Sequence, residues 1–355
     1  MRDPFPIPPI PALSAAVQPW ADYFHLPTLP LHIHEILITA AFYHFVAAVL
    51  SPALSKRWFP KEYAALSRSR RLNWDVHVVS LVQATTINAL ALWVMYVDVE
   101  RSQMDRQERL WGYTGGAAMI QAFATGYFLW DLLMTAANLD IFGLGFLAHA
   151  VSALVVYSFG FRPFVNFYSC NFILWELSTM FLNIHWFFDK LGMTGSKAQL
   201  YNGIMLILTF FSVRLIWGTS QSYAVGYDIW IGLHQPPVVP ATAVPDQLDS
   251  IKFPAQYADT MRFVTPDTRV PIWLAGIYTI SNLTLNSLNF YWFFKIIEAV
   301  YKRFDSGSGT DQSTSNKADD QDNATTTSSD GQPAPLRKRR GTLLDGEDPE
   351  SPPPT

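Results

Sequence analysis

WELSTMFLN, residues 175 to 183, sets a carboxylate, Glu176, between two apolar runs: FILW ends just before it, and MFL follows Ser178 and Thr179. A carboxylate in such a setting needs either water or a reason to be buried. From Tyr113 to Gly218 the only Asp, Glu, Lys and Arg residues are Asp131, Asp140, Arg162, Glu176, Asp189, Lys190, Lys197 and Arg214, and most lie at the ends of apolar runs. The whole chain of 355 residues is 50% hydrophobic and 15% charged, against about a quarter charged in an ordinary soluble domain. Charge this sparse suits hydrocarbon.

Working outward, apolar runs lie near 33–51, 76–97, 114–135, 142–161, 164–188, 199–218 and 271–298. Each supplies the roughly 20 helical residues that cross a bilayer core of about 30 Å. Most are apolar all round, whereas helices of soluble proteins keep a polar face. The fold expected is therefore an all-α membrane protein, a helical bundle with about seven transmembrane helices. Trp58, Trp74, Trp111, Tyr201 and Trp217 near the run edges read as interfacial anchors.

Three parts follow: a proline-rich N-terminal arm over 1–30, read as flexible or extended, a transmembrane domain over 31–304, and a disordered tail over 305–355. The arm lacks the pattern of a secretory signal peptide. Residues 219–270 form a long connection containing QPPVVPATAVP, which suits a cap or lid and no membrane helix. The tail is rich in Ser, Thr, Asp, Gly and Pro and too poor in apolar residues to offset the entropy of ordering. Its RKRR run, Arg337 to Arg340, can touch anionic lipid, and Thr342 is a candidate phosphate acceptor.

Lysine and arginine set the orientation. The first loop carries Lys56, Arg57, Lys61, Arg68, Arg70 and Arg71 against Glu62, which places it in the cytosol. Lys190, Lys197, Lys302 and Arg303 agree, so the C-terminus faces the cytosol. Arg101, Arg106 and Arg109 of the second loop run against this assignment and are interleaved with Glu100, Asp105 and Glu108.

A charge at the bilayer centre costs about 2.5–3.5 kcal/mol on insertion scales. Glu176, Thr179 and Asn183 fall on one helical side, so Glu176 is expected to face protein or a cavity. Ser178 and His185 fall on the other side. In the last run Thr279, Asn282, Asn286 and Asn289 form an amide stripe. Such stripes commonly hydrogen-bond neighbouring helices, and the functional alternative is a polar wall for a lipid headgroup. Asp131 sits near a helix end in YFLWDLL, and His149 lies among small residues in GFLAHAVSAL. Arg214 stands about one turn from its helix end, where snorkelling to the interface places it on a different level from Glu176. Glu176, Asn183, His149, Asp131, Asn202, Asn286 and Asn289 form the expected lipid-binding lining, with His149 and Asp131 as catalytic candidates.

Much chemistry is excluded. The net charge of -4 gives no nucleic-acid surface, and Cys170, the only cysteine, forms no internal disulfide or cysteine zinc site. Phosphate-cradling glycine loops and nucleophile elbows are missing, so no cofactor is expected. His32 and His34, two apart, do not suffice for a metal site, and none is expected. The partner expected is a membrane lipid.

The order of WDVHVVSLVQA (Trp74 to Ala84), YFLWDLL, LAHAVSAL, WELSTMFLN, YNGIMLILTFFSVR (Tyr201 to Arg214) and LNFYWFFKI resembles the TLC-domain family of multipass membrane proteins. The similarity runs from about 66 to 303. That family includes the ceramide synthases and non-synthase branches tied to membrane lipid composition. Ceramide synthases carry a paired histidine where this chain has His149 followed by Ala150, and in them histidine is implied to move an acyl group from acyl-CoA to a sphingoid amine. Non-synthase branches often have a histidine where Gln83 stands. The resemblance implies a fungal-type, non-synthase member of the endoplasmic reticulum that binds or handles a membrane lipid and contributes to lipid homeostasis. The alternatives are an acyl-CoA-dependent lipid acyltransferase and a trafficking or chaperone factor for membrane proteins.

Overall fold

The computed structural model describes residues 1–235, 260–264 and 268–308, with backbone alone from 302 onward. Among the described residues every regular element is helical. The main helices are α1 (Pro11–Phe24), α2 (Leu29–Trp58), α3 (Arg68–Val97), α4 (Gly115–Ala137), α5 (Leu139–Phe159), α6 (Leu177–Lys190), α7 (Lys197–His234) and α8 (Ile272–Ser308). Five spans are long and apolar enough to cross a bilayer: Leu29–Trp58, Arg68–Val97, Arg106–Ala137, Leu139–Phe159 and Lys197–His234.

The other two expected crossings take different forms. The run over 164–188 is broken into a 3₁₀ turn (Asn166–Tyr168), a short α segment (Ser169–Ile173), a second 3₁₀ turn (Leu174–Glu176) and α6. The last run is one continuous helix, α8, made less apolar by its asparagines. It continues to Ser308, past the expected boundary at 304. The tail from 309, with RKRR and Thr342, and the proline-rich connection over 236–259 lie outside the described residues.

Two helices widen locally. Val46–Leu50 inside α2 and Phe210–Trp217 inside α7 adopt π-helical turns, which turn side chains away from the directions a regular helix gives them. Ends are closed by local chemistry. Asp105 and Glu108 form a reciprocal cap at the short helix Arg106–Trp111, the Asp105 carboxylate accepting from Glu108 N at 2.9 Å and Glu108 accepting from Asp105 N at 3.0 Å.

Residues Met1–Phe290 form one compact unit. Within it α2 packs on α4, α4 on α5, α3 on α6 and α6 on α7. The α2–α4 crossing depends on Gly126, where a Cβ would lie 2.6 Å from the Ile36 carbonyl oxygen and 2.8 Å from Thr39 Cβ. The core of this side is apolar, with Val46, Val79, Ile87, Ile120, Ala124 and Cys170 fully buried. Large apolar side chains also face outward, among them Leu133, Leu144, Leu208, Ile216, Ile280 and Leu283, as a surface in contact with acyl chains requires. From Tyr291 a second unit begins, and in it Lys295 donates to Glu298 at 3.0 Å.

The connecting segments gather at two ends. At one, Ser51 of α2 donates to Asp75 of α3 at 2.6 Å and Trp74 donates to Ser55 at 2.9 Å, with Trp74, Tyr63 and Trp186 in one cluster. At the other, Arg101 donates to the Phe167 carbonyl at 2.9 Å and to Asn171, while Arg109 reaches Asp228 of α7 at 3.2 Å. Trp74 and Trp111 are therefore buried packing residues and not interfacial anchors, whereas Trp58 and Tyr201 are exposed. The N-terminal arm also departs from its expectation. Pro11 begins α1, where a fixed φ and a missing N–H suit the first helical position, and residues before it dock on the bundle.

Candidate functional site

Glu176 ends the second 3₁₀ turn and is 7% exposed. What accompanies it is Arg214, 5% exposed, from the π-helical turn of α7. The guanidinium Nη2 lies 3.7 Å from Glu176 Oε1. Its Nε donates to Ser178 Oγ at 2.9 Å and to the Trp175 carbonyl at 3.1 Å, Nη2 donates to Thr179 Oγ1 at 2.8 Å, and Nη1 donates to Asn289 Oδ1 of α8 at 2.9 Å. The Thr179 hydroxyl also hydrogen-bonds the Glu176 carboxylate. One side chain thus joins α6, α7 and α8, and the guanidinium of this buried charge pair donates to four protein oxygens.

This overturns the expectation that Arg214 snorkels to the interface on a level remote from Glu176. α7 continues to His234, so Arg214 lies mid-helix, in a π-helical stretch, with no helix end nearby. Ser178, expected on the opposite side, is 1% exposed and belongs to the same network.

The amides divide between bracing and the charge layer. Asn183 donates to Ser80 Oγ at 3.0 Å and pairs through Oδ1 with His77 Nδ1 at 2.7 Å, tying α6 to α3. His77 is stacked on Trp186 with centroids 4.0 Å apart. Asn202 donates to the Phe181 carbonyl at 2.8 Å, and Asn286 donates to Ser222 Oγ at 2.9 Å. Asn289 gives its oxygen to Arg214, while its buried Nδ2 has no hydrogen-bond partner. Thr279 is exposed and leaves the stripe.

Asp131 comes from α4 and His149 from α5. Asp131, Tyr127 and Tyr43 are electrostatic neighbours of Glu176, and His149 is one of Arg214. Both side chains are half-buried. His149 meets Phe128 edge to face at 6.1 Å, and Ala150 beside it is fully buried. Sequence reasoning missed Arg214, Ser178, Tyr43 and Tyr127 as members of this group. Arg214 was the available signal, since an arginine within an apolar run demands a partner.

Helices of membrane length, apolar outside and enclosing a layer of paired charge and amide, define a multipass integral membrane protein. Residues 73–298 match the family model described as TLC domain. The chain is 38% identical over 292 residues to an uncharacterized TLC domain-containing protein of Schizosaccharomyces pombe, covering 82% of this chain and 87% of that one. It is 29% identical over 206 residues to topoisomerase I damage affected protein 4 of Saccharomyces cerevisiae, covering 56% and 71%. With TLC domain-containing protein 4 of Homo sapiens it shares 30% identity over 165 residues, 44% of this chain and 61% of that protein. The chain belongs to the TLC-domain family.

Proposed function

We propose that this protein holds a membrane lipid within its bundle and contributes to lipid homeostasis in the endoplasmic reticulum. The observation that supports this reading is the buried Glu176–Arg214 pair inside the apolar bundle, with Asp131 an electrostatic neighbour of Glu176 and His149 of Arg214. The Glu176–Arg214 pair is closed by protein partners, so its role is to fix the layer. Asp131 and His149, which retain exposure, are the groups that meet a lipid hydroxyl or amine, and the unbonded Nδ2 of Asn289 adds a buried donor. Asn183, Asn202 and Asn286 support the lining by bracing helices.

The test is purification in a mild detergent followed by lipid mass spectrometry, alongside lipid profiling of cells lacking the gene. One lipid class is expected to be enriched over the surrounding membrane, and Asp131→Asn or His149→Ala to reduce that enrichment. Unselective lipid in every sample with unchanged cellular lipids contradicts the proposal.

The partial exposure of His149 and Asp131 also favours a second reading, an acyl-CoA-dependent acyltransferase. Microsomes supplied with labelled acyl-CoA and an amine or alcohol acceptor then form product, and His149→Ala abolishes it. Turnover that survives His149→Ala rejects that assignment.

A further inference from the structure

Outside the polar layer, where α2 begins, Asp3, His32 and Glu35 bring one ligand atom each to within 4.8 Å of one another. His32 and Glu35 are one turn apart on α2, and their side chains are 1% and 0% exposed. Asp3 comes from the N-terminal segment and is held in place by several contacts. Gly115 N donates to the Met1 carbonyl at 2.9 Å, and a Cβ on Gly115 would lie 2.1 Å from Asp3 N. His34 Nε2 is 2.8 Å from the Ile7 carbonyl, and Phe5 packs edge-on against His34 and Phe123 at 5.5 and 5.6 Å.

The proton count at this cluster is informative. His32 Nε2 lies 2.7 Å from the Tyr113 hydroxyl, and Nδ1 lies 2.6 Å from Glu35 Oε1 and 3.5 Å from Asp3 Oδ2. Glu35 Oε2 is buried, and the Glu35 carboxyl is a hydrogen-bond neighbour of the Asp3 carboxyl. When Nε2–H donates to Tyr113, the Nδ1 lone pair and two carboxylates converge on one small volume. Without a cation, a proton shared between the Glu35 and Asp3 carboxyls holds them together, and a divalent cation takes that proton's place. A divalent cation is a ligand common to all three groups, and the Tyr113 hydroxyl then orients the ligating imidazole by accepting from its other nitrogen. Arg262, at 4.6 Å over the Tyr113 ring and an electrostatic neighbour of His32, places one positive charge against two carboxylates.

We propose that Asp3, His32 and Glu35 form a divalent-cation site of the zinc class that pins the N-terminal segment to the start of α2. Tetrahedral zinc with one nitrogen and two oxygen ligands sets donor atoms about 3.4 Å apart. The observed separations of 2.6 and 3.5 Å bracket that spacing. Imidazole among the ligands selects zinc over the all-oxygen preference of magnesium or calcium. Asp3, with its side chain 29% exposed, marks the entry path and the open fourth position. All three ligands precede residues 73–298, so the site is additional to the domain that defines the family and stands independently of the lipid proposal.

The experiment uses the full chain in mild detergent, free of histidine tags, stripped with chelator and titrated with zinc chloride alone. Retained zinc is counted by elemental analysis after desalting, and proteolysis of residues 1–10 is followed in parallel. The expected result is about one zinc per chain, affinity weakened about tenfold or more by Asp3→Asn and Glu35→Gln, and slower cleavage with zinc only in the unsubstituted protein. Asp3→Asn carries the decision if Glu35→Gln fails to fold, because Asp3 lies in irregular chain outside the helices. Equal zinc retention by Asp3→Asn and the unsubstituted protein, no retention by either, or displacement of zinc by equimolar magnesium overturns the site.

Discussion

Arg214 ties three helices together through one buried side chain. Its guanidinium reaches Glu176, Ser178, Thr179, the Trp175 carbonyl and Asn289, so removing it strands a buried carboxylate and several acceptors. Arg214→Met is expected to destabilise the protein by about 3–5 kcal/mol, the usual cost of breaking one partner of a buried pair. Combining it with Glu176→Gln should recover part of that loss, which a double-mutant thermal unfolding cycle in detergent measures. Additive losses would show that the pair is not coupled. Arg214→Lys should also fail, since an ammonium cannot present donors in a planar fork. Sequence made Glu176 legible as inward because a carboxylate in an apolar run demands burial, and Asn183 because it follows Thr179 at the helical period of α6, whereas the 3₁₀ turn that holds Glu176 was not legible. Arg214 was misplaced because its run was read as ending at Gly218, whereas α7 continues to His234 and leaves Arg214 mid-helix, within a π-helical stretch. The Asp3–His32–Glu35 cluster was not legible either, since only the folding of the N-terminal segment onto Gly115 brings Asp3 to α2.

At the scale of helices, close approach and breakage matter most. Gly126→Ala puts a methyl group 2.6 Å from the Ile36 backbone, which no rotamer change can relieve, so α2 and α4 must separate. A loss of about 1–3 kcal/mol is expected from the overpacking, read as a lowered unfolding midpoint. An unchanged midpoint would mean that the crossing is looser than described. Apolar runs gave most helices their position and length, because hydrocarbon demands that backbone groups be satisfied within the segment. The run over 164–188 hid its breaks, whose irregular backbone is instead satisfied inside protein. There Val165 adopts a left-handed φ of 53°, and Val165 N donates to the Leu110 carbonyl at 2.7 Å. Burial of Trp74 and Trp111 likewise depended on tertiary packing that an edge position in a run does not reveal.

For the molecule as a whole, the two sets of connecting segments differ in how their basic residues are used. Lys56, Arg57, Lys61, Arg68 and Arg70 are exposed. Arg101, by contrast, is buried, and Arg106 and Arg109 lie 3.6 and 3.2 Å from Asp228. The arginines that ran against the charge rule are thus engaged by the fold, and the orientation with the first loop and the C-terminus in the cytosol is put to an experimental test. Glycosylation-acceptor tags are expected to remain unmodified at the C-terminus and at Lys61, and to be modified at Gln103; the reverse pattern inverts the orientation. The central claim, a lipid held inside the bundle at its polar layer, is tested most directly by photo-crosslinking with a bifunctional lipid followed by peptide mapping. Labels on α4 and α5 around Asp131 and His149, lost in Asp131→Asn, are the result this account requires. Labels confined to outward residues such as Leu133, Leu144 and Ile216 would contradict it.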